Sequence, residues 1–173
     1  KSVLVIDNIW STYAEKNTGR TKSGISFIPG GITGSDLTIR FKGDNRVGAI
    51  HYSNSKHTTV NGITVASNHL ILESYTNTNA DSITAANKDK NVHDNYWNAA
   101  IGSSDSFNHS EGIVINSGTV FAGTTTGDDC TAIGGGGNGF GIIDIKGGRV
   151  TAVVASSGAA IGGGIGTLMS NVE

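Results

Sequence analysis

Apolar and polar residues alternate over short runs along this chain, and glycines break the runs. Leu37, Ile39 and Phe41 alternate with Thr38, Arg40 and Lys42, the period of a strand with one buried face. The stretch Cys130–Val150, CTAIGGGGNGFGIIDIKGGRV, holds a short apolar run (Ala132, Ile133), a glycine cluster and a β-branched run (Ile142, Ile143, Ile145). Gly147-Gly148 and a return to Val150 close it. That order predicts strand, corner, strand, corner. The unit recurs on both sides. Asn98–Gly102 reads NAAIG and Gly158–Gly162 reads GAAIG, placing Ile133 32 positions after Ile101 and 28 before Ile161. The second half recurs as well: Gly112–Val120 (GIVINSGTV) matches Ile142–Val150 (IIDIKGGRV), with Ile115 and Ile145 separated by 30.

A repeat near 30 residues, each unit unable to bury its own apolar face, is the mark of a solenoid. The expected fold is all-β, a right-handed parallel β-helix with coils of about 30 residues. Ile101, Ile133 and Ile161 should form one inward ladder with their glycines at one corner. Other strands are expected at Lys1–Ile9, Ser26–Ile28, Val47–Tyr52, Thr59–Ala66, His69–Glu73 and Ser82–Ala85. Turns or loops are expected at Trp10–Ser23, Pro29–Gly31, Gly43–Asn45 and Asn87–Asp94. If Val47–Ile50 is a degenerate member of the repeat, the 51 positions to Ile101 hold either two short coils or one with a long insertion. The chain is read as one segment, irregular over 1–94 and regular over 95–173. No window has the pattern of a long amphipathic helix.

Composition narrows the function classes. Of 173 residues only 15% are charged, and the net charge is −2. Solubility therefore rests on Ser, Thr and Asn, and no basic patch exists for nucleic acid or an anionic membrane. No apolar run approaches the roughly 20 residues of a membrane-spanning helix. No signal peptide is read at the start, where Asp7 follows a short apolar run. A strand-like opening and an end at Leu168-Met169 without a polar cap suggest a segment of a larger protein. The single cysteine, Cys130, permits no internal disulfide and reads as a small core residue.

At Phe41–Arg46 (FKGDNR), the AAIGG repeats, CTAIGGGGNG and the GG-x-VTAV text after Lys146, the chain resembles repetitive β-helical segments of large cell-surface proteins of Gram-positive, mostly gut, bacteria. The resemblance runs from Leu37 to the end. It implies extracellular display and binding to a host or glycan surface, with further adhesion-type repeats elsewhere in such proteins. It implies no activity and no catalytic residue.

Candidate chemistry is sparse. Gly134–Gly139 formally matches a dinucleotide-binding glycine pattern, but such a site needs a helix next, and Ile142–Ile145 is strand-like. The calcium nonapeptide fails because Gly141 stands where a carboxylate is required. Asp128-Asp129, with Asp105 in the equivalent loop one repeat earlier, could gather on one edge for glycosidase chemistry or calcium. The simpler reading is that these acids cap turn N–H groups. The histidines at 51, 57, 69, 93 and 109 have no metal spacing, no serine-hydrolase elbow is present, and the lone Thr124–Thr126 cluster makes no ice-binding ladder. Aromatic residues are the better handles. Tyr96-Trp97, between Asn95 and Asn98, could stack on sugar rings while Asn and Asp bond hydroxyls, with Trp10, Tyr13, His51, Tyr52 and Tyr75 as further contributors; core packing is their alternative. The expected ligand-binding residues are Tyr96, Trp97, Asp105, Asp128 and Asp129, with no catalytic residue, metal or cofactor. The expected role is surface-displayed adhesion or glycan binding. The alternatives are a polysaccharide-degrading β-helix enzyme and a structural stalk that associates end to end.

Overall fold

The structure, a computed structural model, describes residues 2–10, 25–27, 36–48, 50–52, 63–65, 69–87, 99–103, 110–124, 131–135, 141–154 and 158–163. Among them every regular element is a strand and every pairing is parallel. Among the described residues the strands fall into five successive passes. The first holds β1 (Ser2–Asp7) and β2 (Ile25–Phe27). The second holds β3 (Leu37–Lys42), β4 (Asp44–Val47), β5 (Ile50–Tyr52) and β6 (Ile63–Val65). The third holds β7 (Leu70–Ser74), β8 (Ser82–Asn87) and β9 (Ile101–Ser103). The fourth holds β10 (Ser110–Ile115), β11 (Thr119–Thr124) and β12 (Ile133–Gly134), and the fifth β13 (Gly141–Ile145), β14 (Arg149–Val153) and β15 (Ile161–Gly162).

Three sheets result. The first has the order β1-β3-β7-β10-β13, the second β4-β8-β11-β14, and the third β2-β6-β5-β9-β12-β15. Their inward residues form one core of stacked aliphatic side chains. In the first sheet Leu37, Leu70, Ile113 and Ile143 share a row, as do Ile39, Leu72, Ile115 and Ile145. In the second, Ile83, Val120 and Val150 share one row and Ala85, Ala122 and Ala152 the next. In the third, Ile63, Ile50, Ile101, Ile133 and Ile161 follow one another. Each fully buried Ile or Leu contributes roughly 1.5–3 kcal/mol of transfer free energy.

The expected isoleucine ladder is present. Ile101 and Ile133 are fully buried, while Ile161, on the last strand of its sheet, is 42% exposed. Gly102, Gly134 and Gly162 sit beside them in register, at φ of +145°, +134° and +138°. A Cβ on Gly102 would land on the carbonyl oxygen of Gly134, and one on Gly134 on that of Gly162. Only glycine fits at positions 102 and 134.

Ile50 and Ile101 are direct partners, so the 51 positions between them make one coil, and among the described residues that coil holds an inserted element. The inserted element is β6, which lies between β2 and β5. Gly43–Asn45 is not a turn throughout. Gly43 turns the chain at φ +68°, but β4 starts at Asp44, and Asn45 is wholly buried. Its amide supplies the backbone bonds that a turn residue would make locally. Asn45 Oδ1 accepts from the Ile9 N–H at 3.0 Å, and Nδ2 donates to the carbonyls of Lys42 and Ser82 at 2.9 and 3.2 Å. Val47–Tyr52 is likewise two strands in different sheets. Each hand-over from the first to the second sheet contains a positive-φ residue: Asn8, Gly43, Asn77, Gly118 and Gly148. The expected loop over 11–23, the polar stretch 88–94 and Cys130 lie outside the described residues.

Candidate functional site

The outer face of the second sheet follows from its core. With Ile83, Ala85, Val120 and Ala122 pointing inward, the strand period turns Ser82, Thr84, Thr119 and Phe121 outward. Register then aligns two outward rows across the strands. One is Asp44, Ser82, Thr119, Arg149, and the other is Arg46, Thr84, Phe121, Thr151. Trp10 pairs with Arg46 through an isolated parallel bridge and extends the second row by one step.

The two aromatic residues of this row are held differently. Trp10 is 61% exposed. The Arg46 guanidinium lies 4.6 Å from its ring centroid, and its Nε1–H donates to the Asp44 carbonyl at 3.1 Å. Arg46 also bonds Asp44 Oδ2 through Nη2 at 3.0 Å. Such an exposed ion pair adds at most about 1 kcal/mol, but together these contacts orient the indole. Phe121 lies down along the sheet over Gly123, where a Cβ would come within 3.0 Å of its Cε1. The missing side chain at Gly123 leaves room for the Phe121 ring, which is half-buried on this face. In the neighbouring row the Ser82 hydroxyl donates to Asp44 Oδ1 at 3.1 Å, and that of Thr119 to the Asn79 carbonyl at 2.9 Å.

Several other charged groups among the described residues are engaged structurally. On the outer face of the first sheet Arg40 pairs with Glu73, which also accepts from Asn116 Nδ2 at 3.2 Å. Lys42 pairs with Asp7 at 3.0 Å, a bond that raises the lysine's pKa. The buried acid Asp81 accepts from Ser74 Oγ (2.6 Å), from Thr76 Oγ1 (2.6 Å) and N–H (3.0 Å), and from the Gly43 N–H (2.8 Å). Burial alone would push this carboxyl up. The four bonds outweigh it and hold the carboxyl well below the usual range. These bonds hold the carboxylate ionised at the corner between the sheets.

Tyr96, Trp97, Asp105, Asp128 and Asp129 all lie outside the described residues, as do Tyr13, His57, His93, His109 and Gly136–Gly139. Of the further aromatic handles, Trp10 stands on the face described above. Tyr75, 54% exposed, sits at the corner between the first and second sheets. Phe121 escapes the sequence reading because a phenylalanine in a strand reads as core. Its cue is positional: it shares a face with Gly123 and a row with Thr84 and Thr151. Among the described residues no group of three or more His, Cys, Asp or Glu is placed to hold a metal ion, and no helix is long and apolar enough to cross a membrane. The outer face of the second sheet offers a flat aromatic and hydroxyl surface suited to stacking and hydrogen bonding. The chain matches no protein-family model, no curated protein and no solved structure.

Proposed function

We propose that this chain is a segment of a right-handed parallel β-helix, displayed outside the cell, that binds glycan without cleaving it. The solenoid reading is supported by the repeated order of first, second and third sheet and by parallel partners 28–33 residues apart at several rows. The low charge, the Ser, Thr and Asn content and the resemblance to surface-protein repeats support display. One observation carries the binding reading: Trp10, Arg46, Thr84, Phe121 and Thr151 form an unbroken outward row with an aromatic ring at each of two positions. Aromatic faces stack on the C–H faces of sugar rings, and guanidinium and hydroxyl groups bond their hydroxyls.

The experiment is a binding assay of the 173-residue chain against immobilised plant, host and bacterial polysaccharides, with released reducing ends and unsaturated products followed in parallel. Retention on at least one polysaccharide without turnover is expected, weakened by Trp10→Ala and by Phe121→Ala. Failure to bind any of them overturns the reading. Turnover abolished by Asp128→Asn or Asp129→Asn would establish the polysaccharide-degrading alternative instead. A stalk-like role is favoured by a separate observation. Ile145 and Ile161, in register with the buried Ile115 and Ile133, are 43% and 42% exposed on the fifth pass, an open surface that a further coil of the same kind would cover.

A further inference from the structure

We infer that the ligand of the second sheet's outer face is a neutral, extended polysaccharide of β-linked pyranose units, lying across the strands rather than along them. The inference rests on the glycan-binding reading and specifies its ligand. The row from Trp10 through Arg46, Thr84 and Phe121 to Thr151 runs perpendicular to the strands, one residue from each. Successive strands are ~4.8 Å apart, close to the advance of one β-linked pyranose in an extended chain. A polysaccharide laid along the row therefore keeps step with it, one sugar per strand.

Trp10 and Phe121 are three steps apart, ~14 Å at that spacing. Sugars stacked on the two rings are then the first and fourth of a tetrasaccharide. In a flat β-1,4-linked ribbon alternate units are turned over, so these two present opposite faces. Each face of such a sugar carries C–H groups, so both can stack. The two units between them lie over Arg46 and Thr84, whose guanidinium and hydroxyl groups meet ring hydroxyls, and a fifth reaches Thr151. The parallel row adds little donor capacity, because the hydroxyl protons of Ser82 and Thr119 are already given to Asp44 and Asn79. Charge along the row suits a neutral chain, because the Arg46 guanidinium is matched by Asp44; Arg149, an exposed cation that makes no ion pair among the described residues, stands in the neighbouring row at one end of the face. A curved, α-linked chain would leave the flat row after one or two units.

The test is calorimetric titration of the 173-residue chain with cello- and chito-oligosaccharides of two to six units, and with malto-oligosaccharides of the same lengths. Affinity for at least one β-linked series should rise by about tenfold or more between two and four units, as the second ring engages, and level off at five. The malto series should show no such rise. Trp10→Ala, a change at an exposed side chain, should remove the gain with length while leaving the weaker binding of short oligosaccharides to Phe121. Thr84→Val, which keeps the side-chain shape, should lower the affinity for four units and leave that for two unchanged. Affinity independent of length in both β-linked series, or an equal rise in the malto series, overturns the inference. The broader glycan reading then still stands if polysaccharides are retained in the panel assay. Absence of binding to every polysaccharide in that panel overturns both.

Discussion

Buried polar side chains carry the corners at which one sheet hands over to the next. Asp81 ties the amide of Gly43 to the hydroxyls of Ser74 and Thr76, and the Ser74 amide in turn donates to Ser117 Oγ at 3.1 Å, joining three passes. Because the folded chain holds the Asp81 carboxyl below its ordinary value, the unfolded chain takes up the proton first as the pH falls. The stability this residue contributes is complete above the unfolded value of ~3.9 and is lost progressively below it, toward the depressed native value. Asp81→Asn replaces one acceptor oxygen by an NH2 group and strands at least one of the donors that met it. It should cost ~1–3 kcal/mol at neutral pH. It should also flatten the fall in stability below about pH 4. Urea unfolding of both proteins at neutral pH and at two acidic values measures both effects; parallel pH profiles would contradict this account of Asp81.

Individual strands contribute according to whether a neighbour covers them on each side. Ile133 lies between Ile101 and Ile161 and is fully buried, so Ile133→Ala should cost ~2–5 kcal/mol. Ile161 has Ile133 on one side and is 42% exposed. Ile161→Ala should cost less than half as much, a difference that denaturant midpoints resolve. The isoleucine–glycine column from Ile101 to Gly162 was legible in the sequence because Gly102 and Gly134 leave no room for a side chain and the Ala-Ile-Gly text recurs there. The first-sheet row from Leu37 to Leu70, Ile113 and Ile143 was harder to see. Its steps are 33, 43 and 30 residues, and leucine and isoleucine substitute freely in it. Gly-Asp-Asn at 43–45 reads as a turn by local chemistry; tertiary bonds to Ile9 and Ser82 decide otherwise. Strand β6 had no cue at the repeat spacing. Of the candidate site, Trp10 was visible as an aromatic handle, whereas Phe121 became an outward ring only once the register fixed its face.

The array as a whole has two unlike ends. Among the inward residues near β1, Ile6 is 1% exposed and Leu4 half-buried, whereas on the fifth pass the inward Ile145 and Ile161 are 43% and 42% exposed. Strands β13, β14 and β15 each have a partner on one side alone among the described residues. Unpaired parallel edges above an open apolar core favour association with other strands. The 173-residue chain should sediment with a size that grows with concentration. Ile145→Lys combined with Ile161→Lys should suppress that growth without unfolding the chain, since both side chains already reach solvent. A concentration-independent monomer would show that the open end is covered in solution.

The parallel pairing also governs how the molecule answers force. Its strand-to-strand hydrogen bonds point along the direction in which the passes succeed one another, so tension applied in that direction loads one row at a time, and the rows open as a zipper does. The outermost pass yields before the next feels the full load. Partners in the first sheet are 30 to 43 residues apart, so each pass released lengthens the chain by about 100–150 Å at ~3.5 Å per residue.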